Sequence, residues 1–126
     1  QLRADALEAA RWNRLHPGGL ARVPYVTSRL AEGEGPVIAS SDWIKSVPDM
    51  IARWVPGDYT VLGTDGYGLS DTRAALRRHF EIDAAHVVVA TLAALARQGA
   101  VERATVVQAL ADFGIDPDAG DPIRGL

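Results

Sequence analysis

The stretch Tyr59–Asp71, Tyr-Thr-Val-Leu-Gly-Thr-Asp-Gly-Tyr-Gly-Leu-Ser-Asp, constrains the fold of this chain more than any other. Val61 and Leu62, flanked by the β-formers Tyr59 and Thr60, predict a strand. Gly63, Gly66 and Gly68 then fall within six residues, and Ser70 and Asp71, residues that start helices, precede a helical pattern. Strand, tight loop and helix in that order make a βα unit. In open α/β sheets ligands sit at the carboxyl ends of such strands.

Two phosphate fingerprints come close to this loop and neither is complete. A dinucleotide turn needs G-x-G-x-x-G; Gly66-Tyr67-Gly68 begins it, but Asp71 stands where the third glycine belongs. A P-loop needs G-x-x-x-x-G-K-[ST]; Gly63 and Gly68 have the spacing and Ser70 the hydroxyl, but Leu69 replaces the lysine. Without that lysine nothing balances the phosphate charge, and Asp65 and Asp71 add repulsion. The loop reads as a βα turn whose glycines allow positive φ, with Ser70 or Asp71 capping the next helix and Asp65 bonded within the turn or across to another domain. An anion-binding loop is the alternative.

The 126 residues suffice for one domain, predicted over 1–126 with an irregular tail from 116 to 126. Hydrophobic residues make up 48% and charged residues 23%, a globular balance. The net charge is −3 and no basic stripe carries interleaved aromatics, which argues against nucleic acid. The absence of cysteine excludes disulfides and thiolate chemistry and fits a cytoplasmic setting. No apolar run approaches about 18 residues, so no membrane span is predicted. The opening Gln-Leu-Arg-Ala-Asp is no signal peptide and lacks an initiator Met, which predicts a fragment or a processed product.

Leu2, Ala6, Leu7, Ala10 and Leu15 predict an amphipathic helix over 2–15, ended by His16-Pro17-Gly18-Gly19. A second helix is predicted over 23–31 with Pro24 in its first turn, and a buried strand over 36–40. Ser41 and Asp42 are read as caps of a following helix in which Val47, Ile51 and Val55 fall at i, i+4 and i+8. Pro48 interrupts that helix unless it starts near Ser46, so a break is predicted around 44–46. Trp43 and Trp54 are large apolar surfaces for a core or an interface. Helices follow over 71–80, 84–98 (capped by Asp83, ended by Gly99) and 102–113. The apolar residues of 84–98 cover most of its circumference and predict burial on more than one side.

The chemistry-bearing residues form no strong constellation. His16, His79 and His86 lack the helical His or Glu partners of a metal site. Asp42, Asp58, Asp65 and Asp71 cluster around predicted strand ends, where paired carboxylates could serve acid–base work, but caps and turns explain them equally well. No catalytic, cofactor-binding or metal residue is assigned. Only two strands are predicted, too small a sheet to stand alone, which predicts missing strands and an exposed sheet edge that recruits partners.

Longer segments carry a resemblance. Arg-Trp-Asn-Arg-Leu-His-Pro at 11–17, Arg-Val-Pro-Tyr-Val-Thr at 22–27, Val-Ile-Ala-Ser-Ser-Asp-Trp at 37–43, and the run 59–73 with His79-Phe80-Glu81-Ile82-Asp83 resemble the C-terminal end of one enzyme family. That family is the homodimeric, thiamine-diphosphate-dependent pyruvate dehydrogenase components. The resemblance covers nearly the whole chain and weakens after about Gln98. It implies an α/β fold like the transketolase C-terminal domain: a mostly parallel sheet of about five strands with helices on both faces, incomplete in this chain. It implies a parent that binds thiamine diphosphate and Mg, decarboxylates pyruvate and reductively acetylates the lipoyl group of an acyltransferase partner. The family's cofactor motif and catalytic residues have no counterpart here, so the resemblance implies a structural, non-catalytic segment. Pro48 departs from a helix that the family makes continuous. Outside this class, a small anion-binding or interaction module remains the alternative.

Overall fold

β-Branched and aromatic residues build two strands, β1 (Val37–Ser40) and β2 (Tyr59–Leu62), in the computed structural model, which describes residues 1–66 and 68–124. They pair in parallel, Val37 opposite Tyr59 and Ser40 opposite Leu62. The ladder runs one bond further at each end: the Val37 N–H donates to Asp58 O (2.9 Å) and the Ser41 N–H to Leu62 O (3.1 Å).

A parallel pair needs a crossover. Here it is a single turn, α3 (Ser46–Asp49), and a 3₁₀ turn, Ala52–Trp54. Pro48 sits in the first turn of α3, where a missing N–H costs nothing, and the break falls where the sequence predicts it. Val47, Ile51 and Val55 do not share one helix. Ile51 (φ −108°, ψ 0°) joins the two turns and Val55 is extended. Ser41 and Asp42 do not cap a helix; the Ser41 hydroxyl accepts from the Trp43 N–H at 3.0 Å.

The remaining helices are α1 (Leu2–Leu15), α2 (Tyr25–Leu30), α4 (Arg73–His79), α5 (Ala84–Arg97) and α6 (Arg103–Asp112). α2 starts two residues later than predicted because Pro24 (ψ 144°) is still extended. Asp83 caps α5, accepting from the His86 N–H at 3.0 Å, and Gly99 (φ +76°) and Gly114 (φ +59°) follow α5 and α6 in the left-handed region. The stretch Arg73–Arg97 reaches a mean hydropathy of 1.3 over an 18-residue window. It is nevertheless two helices: Glu81 (φ +58°) breaks it, and α5 with 14 residues is about 21 Å long, short of a bilayer core.

α5 packs on both strands and on α6, and α1 packs on α2. The core is thin. Its buried residues are Ala6, Ala9, Val26, Val55, Ile82, Ala94 and Ala109, and among the described residues no large side chain is fully buried. α5 departs from expectation: Ala94 is its buried residue and Val88 is exposed. Two strands about 4.8 Å apart cover one side of a helix and no more. Trp43 is exposed and therefore not core, whereas Trp54 is half-buried, its carbonyl accepting from the Thr27 hydroxyl.

Candidate functional site

The loops that leave β1 and β2 at their carboxyl ends are bonded to each other. The Thr64 N–H donates to Trp43 O (2.9 Å), the Thr64 hydroxyl donates to Asp42 O (2.8 Å), and the Lys45 N–H donates to the Asp65 carboxylate (2.8 Å). Gly63 is buried beneath the first loop. A Cβ there would lie 2.7 Å from Trp43 O, 2.9 Å from Lys45 Cγ and 3.0 Å from Lys45 N. Gly66 has φ +106° with open space around it, and a Cβ on Gly68 would meet nothing within 4 Å. The three glycines thus differ. Gly63 is required by close packing, Gly66 by its backbone, and Gly68 by no contact.

Ser70 and Asp71 do not cap the helix that follows. α4 starts at Arg73, and the Thr72 hydroxyl is the cap, accepting from the Ala75 N–H at 3.2 Å. Asp71 bonds its neighbour instead, accepting from the Thr72 N–H at 2.7 Å. The threonine has the extended backbone of a cap residue (ψ 153°), which sequence alone does not separate from Ser70 two positions earlier.

A cleft of about 480 Å³ lies between this loop and α4, walled by Leu69, Leu76, Phe80 and Ile82 with Asp42, Asp71, Arg73 and Arg77 at its polar side. Arg77 closes an ion pair with Asp42 (3.2 Å), and a second cleft adjoins it beyond Ser40, Ser41 and Asp83. Asp58 does not join the other aspartates. It precedes β2 at the amino end of the sheet and binds Arg97 of α5 (2.8 Å). The four carboxylates of the sequence therefore separate into a salt-bridged strand entrance and three loop positions.

The histidines do not converge. His16 stacks on Trp12 (3.7 Å), whose ring also carries the Arg22 guanidinium at 3.5 Å. His79 is exposed at the end of α4. His86 bonds the Asp83 carboxylate through Nδ1 at 2.6 Å. That pair extends to Arg78, which reaches Asp83 at 3.3 Å and the carbonyls of Phe113 and Gly114 at 2.9 and 2.8 Å. Burial pushes the Asp83 carboxyl up, but bonds from the His86 N–H, the His86 ring and Arg78 outweigh it and hold the group below its ordinary value. Sequence reasoning found the cap but not this junction of α4, α5 and α6. A histidine at the third helical position after an aspartate cap was the available signal. The Tyr59 hydroxyl donates to Pro48 O (2.9 Å); burial first, and the Asp49 charge second, raise its pKa.

Among the described residues the side chains around the loop do not form a site that would hold thiamine diphosphate and Mg. Among the described residues no three His, Asp or Glu side chains come together as a metal would need. The loop amide of Thr64 is committed to Trp43 O, and the loop carboxylates would repel a pyrophosphate.

Residues 4–83 match the model of the transketolase-like TK C-terminal domain family. The chain is 48% identical over 98% of its length to the pyruvate dehydrogenase E1 component of Pseudomonas aeruginosa, of which it covers 14%. It is 44% identical over 97% of its length to that of Escherichia coli K12, again covering 14%. With that of Mycolicibacterium smegmatis the identity is 47% over 92% of the chain and 12% of the relative. The chain thus spans about one-seventh of the length of the curated relatives it matches.

Proposed function

The chain belongs to the transketolase-like C-terminal domain family, and from that membership we propose that it is a structural, non-catalytic domain over 1–126 of a pyruvate dehydrogenase E1 component. The whole enzyme would decarboxylate pyruvate and reductively acetylate the lipoyl group of an acyltransferase partner, in the cytoplasm, as a homodimer. Thiamine diphosphate and Mg would supply the carbanion-stabilising chemistry from residues outside this chain. The observation that carries the reading is the near-complete coverage of this chain by E1 relatives.

In this reading Gly63, Asp65, Gly66, Gly68, Ser70 and Asp71 form a structural loop. Gly63 and Asp65 lock the ends of β1 and β2 together, and Gly66 reverses the chain toward α4. The committed Thr64 amide and the loop carboxylates favour that role over an anion cradle. The test is expression of the complete reading frame that contains this sequence, followed by an assay of pyruvate turnover with and without thiamine diphosphate. Cofactor-dependent turnover is the expected result. A reading frame that holds no cofactor-binding domain, or a product inert toward pyruvate, refutes the proposal.

A further inference from the structure

The segment between β1 and the 3₁₀ turn presents apolar side chains to solvent: Trp43 is 72% exposed, Ile44 51%, Val47 45% and Met50 50%. Ile44, Val47 and Met50 are aligned by the backbone, and Trp43 immediately precedes them. The Val47 N–H donates to Ile44 O (3.1 Å) and the Met50 N–H to Val47 O (3.3 Å). With such bonds from each residue to the third before it, side chains three apart eclipse in one row. The row is also held firmly. Trp43 O, Asp42 O and the Lys45 N–H are the three groups engaged by Thr64 and Asp65, and Gly63 lies directly beneath. The Tyr59 hydroxyl fixes Pro48 O from the other side. A pre-organised ridge rich in Trp, Met and aliphatic residues has the composition of an interface anchor.

The whole chain exposes 8679 Å². A compact monomer of 13.4 kDa exposes about 6,500 Å², so the excess is about 2,200 Å². An ordinary association of two copies removes about 800 Å² from each. The excess is on the scale of a permanent interface, with a second copy or with a larger body, and relatives of which this chain covers 14% carry such a body in the same polypeptide.

We propose that the Trp43–Met50 ridge docks this domain on an apolar surface of the remaining domains of the same, longer polypeptide. The inference rests on the reading of the chain as part of a pyruvate dehydrogenase component. On this view the glycine turn after β2 is the clamp that holds the ridge at the carboxyl end of the sheet.

Hydroxyl-radical footprinting read by mass spectrometry tests it, because Trp43 and Met50 both oxidise readily. The 126-residue chain and the full product of its reading frame are compared, each rate being taken relative to that of Trp54, which is half-buried within the domain and becomes exposed only if the chain unfolds, with pyruvate turnover measured on the full product. Oxidation of both residues should be at least about tenfold slower in the full product, as burial at an interface core requires. Trp43→Ser should move the melting temperature of the 126-residue chain by no more than about 3 °C. In the full product it should speed tryptic release of the domain by about tenfold or more. Equal oxidation rates in an active full product overturn the docking proposal and leave the enzyme reading intact. Protection in a product inert toward pyruvate supports docking and removes the enzyme reading. A 126-residue chain that sediments as a dimer with Trp43 protected, and as a monomer after Trp43→Ser, assigns the ridge to a second copy and overturns the proposal.

Discussion

A methyl group at position 63 has no free volume to enter, since the nearest atom, Trp43 O, belongs to backbone tied down by Thr64. Gly63→Ala should therefore destabilise the chain by about 1–3 kcal/mol, the cost of overpacking. Gly66→Val meets open space but carries a β-branched side chain at φ +106°, and should cost about 1–3 kcal/mol through backbone strain. Urea denaturation of both variants measures this, and neither should change the affinity of inorganic phosphate. Ser70→Ala should stay within about 0.5 kcal/mol of the parent, while Thr72→Ala should lose about 1 kcal/mol with the cap. The sequence showed that this loop turns on its glycines. It did not show that Gly63 serves a contact with residues 43–45, because that contact joins two loops distant along the chain. The cap moved from Ser70 or Asp71 to Thr72 for a similar reason: the loop's path decides which of three polar residues reaches the first helical amides.

Helices with strong local signals were legible, α1, α5 and α6 each within about two residues. The crossover was legible only as a conflict between helical spacing and Pro48, which the chain resolves with two separate turns. What local pattern could not supply was how helices join. Arg78 ties the carboxyl end of α6 to the amino end of α5 through Asp83 and the Phe113 and Gly114 carbonyls, across 35 residues. Arg78→Ala should cost about 1.5–3 kcal/mol, as loss of hydrogen bonds from a charged group does, read as a fall in the denaturation midpoint. The Asp83 carboxyl carries a pH signature. Its folded pKa is lowered, so its charge stabilises the fold above the unfolded value of about 3.9 and that contribution is lost as pH falls through the folded value. Asp83→Asn keeps a capping side chain and removes the charge. It should melt below the parent at pH 7, and the gap should close in acid as the pH falls through the lowered folded value of the Asp83 carboxyl. A gap that persists unchanged there would place the effect in packing and not in the charge.

At the scale of the molecule, a two-stranded sheet and a core made largely of alanine and valine leave α5 half-covered and the Trp43 ridge in solvent. The sequence foretold the small sheet, but it gave Trp43 a place in the core or an interface because hydrophobicity alone does not separate the two. The same economy bears on chemistry. Thiamine diphosphate would require a donor set for a divalent metal and a cradle of free backbone amides for its pyrophosphate. Here the histidines lie in three separate surroundings, Asp58 is engaged by Arg97, Asp42 by Arg77 and Asp65 by the Lys45 amide. The 126-residue chain should accordingly give no heat of binding in calorimetric titration with thiamine diphosphate and Mg, and no consumption of pyruvate in the presence of both. The full product of the reading frame should show both under the same conditions. Binding to the 126-residue chain with a Kd near or below about 10 μM would be incompatible with a structural domain, because about 7 kcal/mol of affinity needs several charged and polar partners, and the Asp42 and Asp65 carboxylates and the Thr64 amide are already engaged within the domain.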